Sequence, residues 1–134
     1  MSTRWQIVAK MSDGRWGAIY VHCDGYKEHA LRTLGKFYDT QDAVESLVGL
    51  GDCLSVSGPT FMACESFHRR GEAWSEACPT FSATMEDASN KHMHGDEEFR
   101  YVWDGETWAC DVVVGNKCCK RVCTLAQYIE AVPP

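Results

Sequence analysis

Between Tyr20 and Tyr26 the spacing of apolar side chains changes from every second residue to every third or fourth, and the change falls on Asp24-Gly25. A period of two marks a strand and one near 3.6 a helix, so a strand hands over to a helix at this corner. Tyr20-Val21-His22-Cys23-Asp24-Gly25-Tyr26 also gathers an imidazole, a thiol, a carboxylate and a phenol where polar side chains can stay exposed.

The strand entering the corner, Arg15 to Cys23, follows a first strand, Arg4 to Met11, across Ser12-Asp13-Gly14. Asp-Gly suits a hairpin turn because positive φ costs these residues little. Trp5, Ile7, Ala9 and Met11 share one face of the first strand, while the return strand carries apolar groups on both faces and belongs inside the sheet. From Lys27 a helix is expected on Ala30, Leu31, Leu34, Phe37 and Tyr38, and a second, capped by Thr40, over Gln41 to Leu50 with Gly51 ending it. Cys53 to Pro59 reads as a short strand or an ordered loop, and Phe61 to Phe81 carries no clear period, with Pro79 arguing against a helix through that point. Thr84 caps a short helix over Met85 to Lys91, and His92-Met93-His94-Gly95-Asp96 reads as loop. A second hairpin, Phe99 to Trp103 and Thr107 to Val114, turns around Asp104-Gly105, and Thr124 caps a last helix over Leu125 to Val132 before Pro133-Pro134. The sum is one α+β domain spanning 1–134, an antiparallel sheet built from two hairpins with helices packed mainly on one face.

Composition sets the limits on function. A formal charge of -6 from 13 Lys/Arg and 19 Asp/Glu argues against general nucleic-acid binding, which needs a basic surplus to neutralise phosphates. No segment has the length of apolar chain that a membrane span needs, and Met1 to Gln6 shows no signal-like run. A cytoplasmic protein is expected, its eight cysteines mostly reduced and acting as small hydrophobes.

Three groups of residues are candidates for chemistry. At the corner, His22 can bind or move a proton, Asp24 can orient it or pair with a cation, and Tyr26 can donate a hydrogen bond or stack; equally, Asp24 can cap the helix and the others be half-buried structure. His68-Arg69-Arg70-Gly71-Glu72 presents guanidinium forks suited to a carboxylate or phosphate, or else ion pairs with neighbouring glutamates. Asp96-Glu97-Glu98 forms an acidic patch suited to a basic partner. Cys64 and His68, His92 and His94, and Cys118, Cys119 and Cys123 could supply metal ligands, but none makes the Cys-x-x-Cys knuckle of structural zinc sites, and no metal or other cofactor is expected. No nucleophile elbow, phosphate loop or dinucleotide fingerprint is present, and adjacent strand residues His22 and Cys23 point to opposite faces, so no catalytic residue is assigned.

Tyr20-x-His22-Cys23-Asp24-Gly25-Tyr26, then Leu34-Gly35-x-x-Tyr38, Leu50-Gly51-Asp52-x-x-Ser55 and His68-Arg69-Arg70-Gly71-Glu72 resemble a family of small proteins encoded by phages, prophages and plasmids. The usual motif there is Tyr-x-His-Trp-Asp-Gly-Tyr-Pro; here Cys23 stands for the tryptophan and Lys27 for the proline. The resemblance implies a mobile-element setting, in which small accessory proteins often bind and disable host factors. Two functions are therefore expected: a non-enzymatic protein that inhibits a host protein, such as a defence complex, through its acidic surface; or a domain binding a small anionic ligand or nucleotide, with chemistry open to it, at His22, Asp24, Tyr26, Arg69 and Arg70.

Overall fold

The computed structural model describes residues 3–131. The expectations placed on Met1, Ser2, Val132, Pro133 and Pro134 lie outside them. The first hairpin pairs β1 (Trp5–Lys10) with β2 (Trp16–Val21), and Gly14 at φ +88° makes its turn. The second pairs β6 (Phe99–Trp103) with β7 (Trp108–Gly115) around Gly105 at φ +105°. Between them run α1 (Lys27–Phe37), α2 (Gln41–Val48), β3 (Cys53–Ser55), a 3-10 turn at Phe61–Ala63, β4 (Glu65–Ser66), α3 (Trp74–Ala77), β5 (Thr80–Ser82) and α4 (Met85–His92). β8 (Cys118–Thr124) and α5 (Leu125–Ala131) follow.

The α+β reading holds, with the sheet larger and more mixed than two antiparallel hairpins. Its order is β4-β3-β2-β1-β6-β7-β8, with β5 also on β2. The hairpins meet through their first strands, so β1 and β6 run parallel, as do β2 and β3 at Val21 and Cys53. Side-chain alternation reports which face a residue occupies and carries no information on the direction of the neighbouring strand. The stretch after the second hairpin, which the sequence left without an element, forms β8, a further antiparallel strand on β7. Its residues are mostly exposed, so the alternation that would have betrayed it is missing.

The two sheet faces are built differently. On one, Trp5, Ile7, Ala9, Ile19, Val21, Tyr101, Trp103, Trp108 and Cys110 form a continuous apolar core with α1, α2 and Tyr128 of α5. On the other, α4 covers only a small apolar cluster of Val8, Ala18 and Ala88. The remainder of that face is a buried polar network. Arg100 donates through Nε and Nη2 to Asp111 Oδ2 at 2.9 and 2.7 Å, and through Nη1 to Ser89 Oγ at 3.2 Å, while Ser89 Oγ donates to Gln6 Oε1 at 2.7 Å. Arg121 also pairs with Asp111, so the buried carboxylate is matched on both oxygens.

The caps agree with sequence. Thr40 accepts from the Ala43 N–H and Thr84 from the Asp87 N–H. Thr124 and Gln127 exchange hydrogen bonds as a capping box for α5. Gly51 at φ +75° completes the exit from α2, its N–H donating to Val48 O.

The Asp24-Gly25 corner is fixed from the core side. Trp5 Nε1 donates to Cys23 O at 2.7 Å, Gly25 N–H donates to Thr3 O, and the Tyr101 hydroxyl donates to Gly25 O. A Cβ on Gly25 would lie 2.6 Å from the Trp5 ring and 2.8 Å from Thr3 O. Gly25→Ala should therefore cost about 1–3 kcal/mol through overpacking, read as a lower urea midpoint at unchanged slope.

Candidate functional site

The strongest grouping of reactive side chains lies on the α4 side of the sheet, where β2, the residue before β3, β5 and the end of α4 converge. Alternation along β2 sends Tyr20 and His22 to this face, and the Tyr20 hydroxyl meets His22 Nδ1 at 2.9 Å. Asp52, 5% exposed, turns its carboxylate under them, and its Oδ1 accepts from the Tyr20 N–H at 2.9 Å. The last residue of α4 brings His92 in, its Nε2 2.6 Å from the same Oδ1. The other ring nitrogen, Nδ1, lies 2.7 Å from Thr80 Oγ1 on β5. His94 follows two residues past the helix, exposed, its ring stacked on Tyr20 with centroids 4.2 Å apart and planes 10° from parallel.

The loop holding His94 is itself anchored. Glu97 is buried, and its two carboxylate oxygens accept the N–H groups of His94 and Gly95 at 2.9–3.1 Å. Burial, reinforced by the nearby Asp96 carboxylate, pushes the Tyr20 phenol up to about 12, so it stays a neutral hydroxyl at physiological pH. One donor atom each from Asp52, His92 and His94 lies within 4.8 Å of the others, a spacing from which a cation could be held.

Of the ligand- or partner-binding residues expected from sequence, His22 belongs to this cluster, and it is joined by His92 and His94, which the sequence offered as metal ligands. Asp24 does not cap α1: it is exposed at φ +65°, and Tyr26 is the residue at the cap position, with no side-chain cap bond. Tyr26 is exposed beside His29. Arg69 is not free for an anion, because its guanidinium donates to Phe61 O at 3.1 Å, Cys64 O at 2.6 Å and Ser66 Oγ at 3.2 Å, tying the 3-10 turn to β4. His68 packs edge-on against Trp74 with Nδ1 2.9 Å from Glu72 O, and Arg70 lies over the Phe67 ring. Among the described residues no hydrogen bond, ion pair or ring contact joins Asp24 or Tyr26 to Arg69 or Arg70. The acidic patch is also reduced: Glu97 faces inward and Asp96, still half exposed, pairs with Arg4 at 3.2 Å, while Glu98 is exposed.

Sequence reasoning missed Asp52, Thr80 and Tyr20 as members of a site. Leu50-Gly51-Asp52 and the His92-x-His94 spacing were the visible signals, but forty residues separate Asp52 from His92. None of the eight cysteines forms a disulfide, and burial raises Cys53 and Cys110, the latter to about 11, as suits hydrophobic packing.

The fold and this cluster define a mixed-sheet α+β domain with an imidazole-rich cluster over a buried carboxylate. Comparison of the chain with known protein families, with curated proteins and with solved structures finds no match.

Asp52 supports both a backbone donor and His92, so Asp52→Ala should cost about 1–3 kcal/mol by leaving a buried N–H unsatisfied. Asp52→Asn, whose amide oxygen can still accept, should lose less. Urea midpoints of the two variants check the order.

Proposed function

We propose that this chain acts by binding, as a non-enzymatic accessory protein of phage or mobile-element origin that engages and inhibits a host protein, and that the cluster of Tyr20, His22, Asp52, His92 and His94 is its recognition site. The observation that supports this reading is the exposure of His94 and its stack on Tyr20 above polar groups already satisfied from behind. A side chain so held presents a flat, amphipathic surface at little entropic cost, the property that favours aromatic residues at the centres of interfaces. The resemblance at Tyr20 to Tyr26 supports the mobile-element setting. Acidic surface elsewhere would steer a basic partner, although Asp52, Glu97 and Asp111 are buried and contribute little to it.

Affinity capture from a bacterial host lysate with wild type and His94→Ala provides the test. A partner held by wild type and lost by His94→Ala is the expected result. A partner retained equally by both removes the cluster from recognition, and no partner at any salt concentration removes the binding reading.

One observation favours a second reading. Thr80 hydroxyl, His92 imidazole and Asp52 carboxylate form a continuous line at 2.7 and 2.6 Å, the arrangement by which a base activates a hydroxyl nucleophile. Under it, wild type should react covalently with an activated ester and Thr80→Ala should not, as intact mass would show. Equal labelling of the two ends this alternative.

A further inference from the structure

We infer that Asp52, His92 and His94 form a binding site for a divalent first-row transition-metal ion of the Zn2+, Co2+ or Fe2+ kind, an inference that rests on reading this cluster as the ligand site. Two imidazoles and one carboxylate are a donor set of borderline softness. Such a set suits these ions and disfavours Mg2+ and Ca2+, which prefer all-oxygen shells.

Geometry carries the argument. Ligands bound at about 2.1 Å lie roughly 3 to 3.5 Å from one another at tetrahedral or octahedral angles. Asp52 Oδ1 and His92 Nε2 already stand 2.6 Å apart, and one donor atom from each of Asp52, His92 and His94 lies within 4.8 Å of the others. Closing the set needs a modest opening of the first pair and a movement of His94, whose ring is exposed and placed by stacking on Tyr20. The nearly buried donors are fixed and the exposed one is adjustable, which gives the ion a route in.

The surroundings complete what a metal site needs beyond its ligands. A coordinating imidazole commonly donates its second N–H to an oxygen, which sets tautomer and ring orientation. Thr80 Oγ1, 2.7 Å from His92 Nδ1, is placed for that role. In the tautomer that carries the ring proton on Nε2, that N–H donates to Asp52 and the Thr80 hydroxyl donates to Nδ1. When an ion takes the Nε2 lone pair, the ring proton resides on Nδ1 and Thr80 becomes the acceptor, so neutral His92 changes tautomer with no net loss of a proton. The Tyr20 N–H orients the Asp52 carboxylate, and Glu97 holds the backbone N–H groups of His94 and Gly95. Each ligand thus has its own support from a different part of the chain.

Three protein ligands leave coordination positions for water or for a group on a partner. His22, hydrogen-bonded to the Tyr20 hydroxyl, stands on the same face and can contact whatever occupies them. Metal binding here is a deeper form of the proposed recognition, because an exposed ion with open positions can accept a carboxylate, imidazole or thiolate from another molecule.

Cobalt titration of the reduced, metal-stripped full chain tests the inference without a partner, so its outcome is separate from that of lysate capture. Wild type should bind about one equivalent of Co2+ with visible d–d bands and without the near-ultraviolet charge-transfer band of a thiolate ligand, and excess Mg2+ should not compete. His94→Ala should weaken binding about 10-fold or more, and Thr80→Val, which removes only the outer oxygen, about 10- to 100-fold. Far-ultraviolet circular dichroism establishes that each variant is folded. Substoichiometric binding, a thiolate charge-transfer band, or wild-type affinity in both variants would overturn the site.

Discussion

The arrangement of this protein depends most on Asp52, which joins four parts of the chain at one residue. Its N–H donates to Ala77 O at the end of α3, its carbonyl accepts from Phe67 N just after β4, and its side chain holds β2 through Tyr20 and α4 through His92. The segment from 53 to 98 has short elements and little periodicity, so it cannot order itself by local propensity. Fixing both of its ends to one nearly buried carboxylate supplies the order that local sequence lacks. An unpaired carboxylate there would be costly, and the hydrogen-bonded one instead selects a single arrangement of β2, β5 and α4.

The two faces of the sheet divide the work. The face under α1, α2 and α5 is apolar and supplies the burial that makes the domain stable, with Trp5 and Tyr101 also reaching out to hold the Asp24-Gly25 corner. The face under α4 is polar: Arg100, Asp111, Ser89 and Gln6 at one end, Tyr20, His22, Asp52 and His92 at the other. Both groups lie under one short helix, but their satisfaction differs. The first is closed on itself through paired charges, whereas the second ends in His94 at the surface. That difference leaves the histidine cluster with an aromatic ring open to solvent, stacked on Tyr20.

The motif at Tyr20 to Tyr26 acquires a divided meaning in this setting. Its Asp-Gly-Tyr half is a packing device, because Gly25 is the residue that fits against the Trp5 ring, and the Cys23 carbonyl accepts the indole N–H. Its Tyr-x-His half belongs to the site. Strand alternation divides them, turning Tyr20 and His22 to the α4 side while the chain itself bends toward α1. The His68 to Glu72 stretch is likewise a local clip, with Arg69 donating to the carbonyls of Phe61 and Cys64 in the preceding turn.

Sequence by itself determined the elements whose signals are local. Alternation gave both hairpins, Asp-Gly their turns, threonine caps the starts of α2, α4 and α5, and a change of period the corner at Asp24-Gly25. These signals span a few residues and are set by backbone sterics and hydrogen-bonding geometry, which act at short range. Only the tertiary structure decided that β1 and β6 lie parallel, that β8 extends the sheet, that Arg69 and Glu97 turn inward, and that Asp52, Thr80, His92 and His94 meet Tyr20. Each of those outcomes is a pairing across tens of residues. A side chain's type says what it can bond to, but which partner it reaches is settled by how the packed elements bring distant parts of the chain together.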